Sequence, residues 1–125
     1  MKIRIVSALL TGLLLTGFAN AECVYPKAPS SIPDGKTASE EDMLNGMRAV
    51  KEYNAQVTAY LSCLDMQTQT DITNAGADAP AETIAQIKAI NAKRHNAAVE
   101  ALEAHAARFN EQVKAFKSRD KSKKS

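Results

Sequence analysis

Apolar residues recur at helical spacing through two long stretches of this chain, and the breaks between them set its organisation. In the first stretch they fall at Met43, Met47, Val50, Val57, Leu61 and Leu64, in steps of 4, 3, 7, 4 and 3, with Asn54 in register inside the long gap. This is the heptad seam of an amphipathic helix, with one polar layer. In the second stretch the seam passes through Val99, Leu102, Ala106, Phe109, Val113 and Phe116, and back through His95 and Asn91 to Ile87 and Ile84. The pattern predicts a first helix over about residues 40–69 and a second over about 81–117.

The ends of both helices carry their own signals. Thr37-x-x-Glu40 and Ser39-x-x-Asp42 each have the spacing of a capping box, and Glu40, Glu41 and Asp42 suit the positive end of a helix dipole. Thr68, Thr70, Ile72 and Thr73 weaken the end of the first helix, and Asn74 to Asp78 supply the connection. Asp78 or Ala79 caps the second helix, with Pro80 in its first turn. That helix is rich in Ala and has no interior Gly or Pro.

Two helices joined by a short connection lie antiparallel, so the predicted fold is all-α: a coiled-coil-like two-helix hairpin over residues 39–117. With the turn centred near 74–75, the numbers of facing residues add to about 149. Val50 then faces Val99, Met47 faces Leu102, Met43 faces Ala106, and Asn54 faces His95. The last pair is expected to form a polar layer that costs stability and fixes register.

The pattern changes completely before residue 39. Lys2 and Arg4 precede an apolar run from Ile5 to Phe18, which ends in Ala19-Asn20-Ala21, the A-x-A pattern of a secretory signal peptide. The run is about 14 residues, shorter than the roughly 20 of a spanning helix. Residues 1–21 are therefore read as a signal peptide cleaved after Ala21, with no transmembrane span left afterwards. Glu22 before Cys23 argues against a lipid anchor on that cysteine. Residues 22–38 then read as an extended segment, because Pro26, Pro29 and Pro33 forbid a continuous helix, and Asp34-Gly35 reads as a turn.

Cleavage rewrites the charge. The whole chain has 16 Lys+Arg against 14 Asp+Glu, but removing Lys2 and Arg4 leaves a neutral protein. Residues 22–113 hold 8 bases and 13 acids, while Lys114, Lys117, Arg119, Lys121, Lys123 and Lys124 crowd the end against Asp120 alone. An acidic body with a basic tail is the better description. Residues 118–125 have no apolar member and are expected to be a disordered basic tail, a candidate for holding anionic envelope components.

An exported protein with two cysteines is expected to join them, here Cys23 to Cys63. Gly46, Ala49, Tyr53, Tyr60 and Cys63 share a stripe beside the seam of the first helix. The residues between Cys23 and Ala38 are enough, in an extended chain, to double back along that helix. The prolines, Val24 and Ile32 would then lie over Tyr53 and Tyr60, with the segment stapled to the first helix. An intermolecular disulfide or a free thiol is the alternative.

Little else points to chemistry. His95 and His105 are ten residues apart, about 15 Å along a helix, too far to share a metal. Met43 and Met47 offer two thioethers to Cu(I) without a third ligand, and their seam positions make them core residues. Pro26-x-x-Pro29 is a bare P-x-x-P. No metal, cofactor or nucleic-acid site is expected, and no enzyme, since no nucleophile, base and orienting group come together. Ala85, Ala89, Ala92, Ala97, Ala101 and Ala104 give the second helix a small, smooth face that suits solvent or another helix, as in a homodimer.

Cys23 to Pro29, Ile32 to Gly35, Val50 to Tyr53, Tyr60 to Leu64 and Arg108 to Lys117 together give a pattern that resembles small uncharacterised exported proteins of proteobacteria. The resemblance covers most of the chain after residue 21 and implies an exported bacterial protein, periplasmic or secreted, with no assigned activity. Residues and resemblance converge on a non-enzymatic structural or interaction protein of the bacterial envelope. The alternative is a module that binds anionic envelope components or a protein partner through the basic tail or the Ala-rich face.

Overall fold

The computed structural model describes residues 22–124; the expected signal peptide lies outside the described residues. Among the described residues the chain is all-helical, with α1 over Glu40–Ala75 and α2 over Ala81–Lys123 packed against each other. Residues 22–38 form no regular element.

α1 starts where the capping signals place it. Ser39 is the N-cap: the Asp42 N–H donates to Ser39 Oγ at 3.1 Å, and the Ser39 N–H donates to Asp42 Oδ2 at 3.0 Å. Two of the helix's orphan donors are thereby satisfied, and Glu40, Glu41 and Asp42 occupy the first turn. Just upstream the Asp34–Gly35 turn forms, with the Lys36 N–H on Asp34 Oδ1 at 2.9 Å and the Ala38 N–H on the Asp34 carbonyl at 2.7 Å.

The far end of α1 departs from expectation. The helix continues through Thr70 and Thr73 to Ala75, six residues past Gln69. The threonine hydroxyls turn back on their own helix instead of competing with it: Thr68, Thr70 and Thr73 donate to the carbonyls of Leu64, Met66 and Gln69 at 2.8, 3.0 and 2.8 Å. Gly76, at φ 90°, ends the helix in the left-handed region open to a residue without Cβ. Pro80 is the N-cap of α2, two residues later than Asp78 and one later than Ala79, and without a side-chain cap.

These shifts move the register by one heptad. The connection is centred near residue 78, so facing positions add to about 156 rather than 149. Gly46 meets Phe109, Tyr53 meets His105, and Asp65 meets Asn91.

The core is also rotated relative to the expected seam. Met43, Tyr53, Val57, Tyr60 and Leu64 of α1 are buried with Ala98 and Phe109 of α2, and Val57 is only 1 % exposed. Tyr53 and Tyr60, read from the sequence as lying beside the seam, are its centre. Met47 is 40 % exposed, and Leu61 is half-buried against the core. The reason is a third contributor. The chain before α1 carries buried Pro26 and Gly35, which draws the stripe that faces it into the interior.

Candidate functional site

The chain before α1 meets both helices. Cys23 and Cys63 form a disulfide across 40 residues, with Cα atoms 5.7 Å apart, inside the range a disulfide spans without moving the backbone. Two residues on, Tyr25 stands edge-on to Tyr60 with ring centroids 5.2 Å apart. Further along, Pro33 approaches Gly46, where an added Cβ would come within 2.8 Å of Pro33 Cγ and 2.7 Å of the Phe109 ring. A side chain at residue 46 would push the two apart.

Gly35 makes the closest approach. Its N–H donates to Gln112 Oε1 at 2.9 Å, and a Cβ there would collide with the Gln112 carbonyl oxygen. Only glycine lets the turn backbone rest directly on the backbone of α2. Arg119 then grips the chain just before the cap. Its Nη1 donates to the Lys36 carbonyl at 3.0 Å and its Nη2 to the Ala38 carbonyl at 2.8 Å, with the guanidinium 4.7 Å from the Phe116 ring centre.

That grip changes the reading of the basic tail. α2 runs to Lys123 and takes residues 118–123 into the helix. Ser118 Oγ donates to the Lys114 carbonyl at 2.9 Å and Ser122 Oγ to the Arg119 carbonyl at 2.7 Å, and the Arg119 clamp ties this stretch to the chain before α1. Arg119 is half-buried and occupied; Lys114, Lys117, Lys121, Lys123 and Lys124 are on the exposed surface.

The expected polar layer is not where the sequence put it. Asn54 is exposed and His95 half-buried, so Asn54 is no buried partner for His95. The shift of register and the rotation of α1 account for this together. The polar side chain inside the core is His105, 3 % exposed, with its ring edge-on to Tyr53 at 5.7 Å. Burial, aided by the nearby charge of Arg108, holds the His105 imidazole below its ordinary pKa and so favours its neutral form. Burial also pushes the Tyr53 phenol up, with Tyr25 adding to the effect. The Ser39 hydroxyl and N–H hold the Asp42 carboxyl below its usual value.

The remaining candidates separate. Met43 is buried and Met47 exposed, so the two thioethers occupy different surroundings. Among the described residues no three His, Cys, Asp or Glu side chains gather as a metal site would require. On the Ala-rich face Ala101 is half-buried, whereas Ala85, Ala89, Ala92, Ala97 and Ala104 are exposed. Val24, expected over the tyrosines, is 85 % exposed; Tyr25 takes that place.

The surface hollows are open grooves. The largest beside the disulfide is lined by Ala59, Ser62, Met66, Thr70 and Asp71, with Met66 71 % exposed. Gln112, Arg119 and the close contact of Gly35 were not singled out from the sequence as contacts; the Asp34-Gly35 turn signal was the available clue. Among the described residues no helix is long and apolar enough to cross a membrane. With the disulfide, this is compatible with a periplasmic or extracellular location.

No family model, curated protein or solved structure matches the chain.

Proposed function

We propose that this chain is an exported, non-enzymatic structural or interaction protein of the bacterial envelope, built as a helical hairpin with its N-terminal segment strapped across it. The observation that carries the reading is the Cys23–Cys63 disulfide, a bond that persists in oxidising compartments. The apolar run and Ala19-Asn20-Ala21 before it supply an export signal of the right form. The resemblance to small exported proteins of proteobacteria points the same way.

The strap has a clear structural purpose. It starts at Cys63, passes Tyr60 and Gly46, touches Gln112 and ends under Arg119. Two thin helices gain from it a third surface to pack on. Closing the loop of 40 residues contributes about 3–4 kcal/mol in the chain-entropy account.

Expression with the first 21 residues in a Gram-negative host tests the reading. The expected product is an oxidised periplasmic or secreted protein beginning at Glu22 and lacking free thiols. A cytoplasmic, uncleaved product with two free thiols contradicts it.

A second reading keeps the basic run as an anion-binding element. The observation in its favour is that α2 displays Lys114, Lys117, Lys121 and Lys123 on exposed positions of a helix, with Lys124 at its C-cap. Binding to anionic vesicles that is lost when the lysines other than Lys121 become Gln supports it, and unchanged binding removes it.

A further inference from the structure

We infer that the flank of the hairpin opposite the N-terminal segment docks a second copy of this chain, lying antiparallel, to complete a four-helix bundle. The inference rests on the folded chain and not on its export, so the two can fail separately.

The two flanks are unequal. The contacts described for residues 23–38 fall on Gly46, Tyr60 and Cys63 of α1 and on Gln112, Phe116 and Arg119 of α2. At about 100° per residue, Met47 and Leu61 come round to the other side of α1, as do Val99, Ala106 and Val113 on α2. Leu44 and Met47 there are 42 % and 40 % exposed. Val50, Leu61, Val99, Leu102, Ala106 and Val113 stop half-buried. Their stripe is aliphatic and runs along both helices, which is the form of half a four-helix bundle.

Charge selects the occupant and its direction. From Asp65 to Ile87 the chain carries Asp65, Asp71, Asp78 and Glu82 and no Lys or Arg. From Arg108 to Lys124 it carries seven bases against Glu111 and Asp120. The first stretch surrounds the connection; at the opposite end of the hairpin the second lies beside Asp34, Glu40, Glu41 and Asp42 with Lys36 and Arg48, and that end stays net basic. α1 has 36 residues, so the two ends lie about 50 Å apart, several Debye lengths at physiological salt.

A second copy brings the same aliphatic stripe together with both charged ends. Set parallel, it stacks basic end on basic end. Set antiparallel about a two-fold axis, it lays a basic end over an acidic end twice. The same surface then serves both copies, as a closed dimer requires.

Sedimentation velocity of the purified oxidised chain, from about 1 to 200 µM, tests this. The expected result is a dimer whose dissociation constant rises by about tenfold or more between 0.05 and 0.5 M salt. A carbodiimide, which joins amines to carboxylates, is expected to link Lys117 of one copy to Asp65 or Asp78 of another in a mixed isotope-labelled sample. The pair Met47→Lys and Val99→Lys is expected to weaken the dimer by about a hundredfold with helicity unchanged, while Met66→Lys, beside the disulfide, leaves it intact. A monomer throughout the concentration range overturns the inference. So does a dimer that ignores the Met47 and Val99 changes, or one whose links join Lys117 to Glu40 of the other copy. The salt and cross-linking arms use the unaltered chain, so a variant that fails to fold leaves the test standing.

Discussion

Two regions of the hairpin carry similar helix and very different interiors. Up to residue 68 on α1, and from residue 98 onward on α2, lie Met43, Tyr53, Val57, Tyr60, Leu64, Thr68, Ala98, His105 and Phe109, all buried. Between residues 69 and 97 no described residue is buried, although Ile72, Ile84 and Ile87 point inward far enough to be half-covered. The boundary lies one to two turns beyond Cys63, where the N-terminal segment begins. Two helices touching along one line shield each other only partly. A third element is what converts a helical stripe into a core, and this chain has one only as far as its disulfide reaches.

Breaking the disulfide should therefore erase the difference between the regions. Cys63→Ser is expected to cost about 3–4 kcal/mol in denaturant unfolding of the monomer, since the loop of 40 residues is no longer closed in the unfolded chain. A loss below about 1 kcal/mol would show that the extended segment holds without it.

Paired truncations sharpen the contrast next. Val57→Ala, at a fully buried site, is expected to cost about 2–3 kcal/mol, and Ile87→Ala, in the thinner region, about 1 kcal/mol despite removing more carbon. Equal costs from the two changes would mean that the regions are packed alike.

Gly35→Ala addresses the same boundary from the other end. The new methyl collides with the Gln112 carbonyl, so the turn must lift from α2, at about 1–3 kcal/mol. Gly76→Ala, in the open connection, meets no neighbouring atom and pays only for its positive φ, about 1 kcal/mol. Chemical denaturation of both variants checks the order.

The smallest effect expected is that of pH. His105 has its folded pKa below the ordinary 6.5, so the unfolded chain binds the proton more readily. Stability is full above about pH 6.5 and falls as the pH drops from there toward the lowered folded value. Asp42 adds its own loss only lower down, below its ordinary 3.8. Unfolding curves between pH 7.5 and 5 should show the decline, and His105→Gln should flatten it. A slope unchanged in that variant assigns the decline elsewhere.

The sequence was informative where the signal is local. The capping residues of α1, the two helices and the cysteine pairing follow from spacing and chemistry a few residues wide, or from the reach of an extended segment. Register was lost because Thr70 and Thr73 carry poor helix propensity, yet bond back to carbonyls four residues earlier and stay helical. Seven residues of displacement follow from that one misjudged end. The choice between Asn54 and Tyr53 as inward positions depended on a surface that is remote in sequence. Arg119 looked like one more cation in a charged run. Its role depends on carbonyls more than 80 residues away.

The central claim is that the extended segment, and not the pairing of helices alone, creates the core. Amide hydrogen exchange of the oxidised protein, repeated after reduction of Cys23–Cys63, tests it most directly. The account predicts the slowest amides within residues 43–68 and 98–116, faster exchange over 69–97, and collapse of that difference on reduction. Uniform protection along both helices, or a pattern that reduction leaves unchanged, would contradict it.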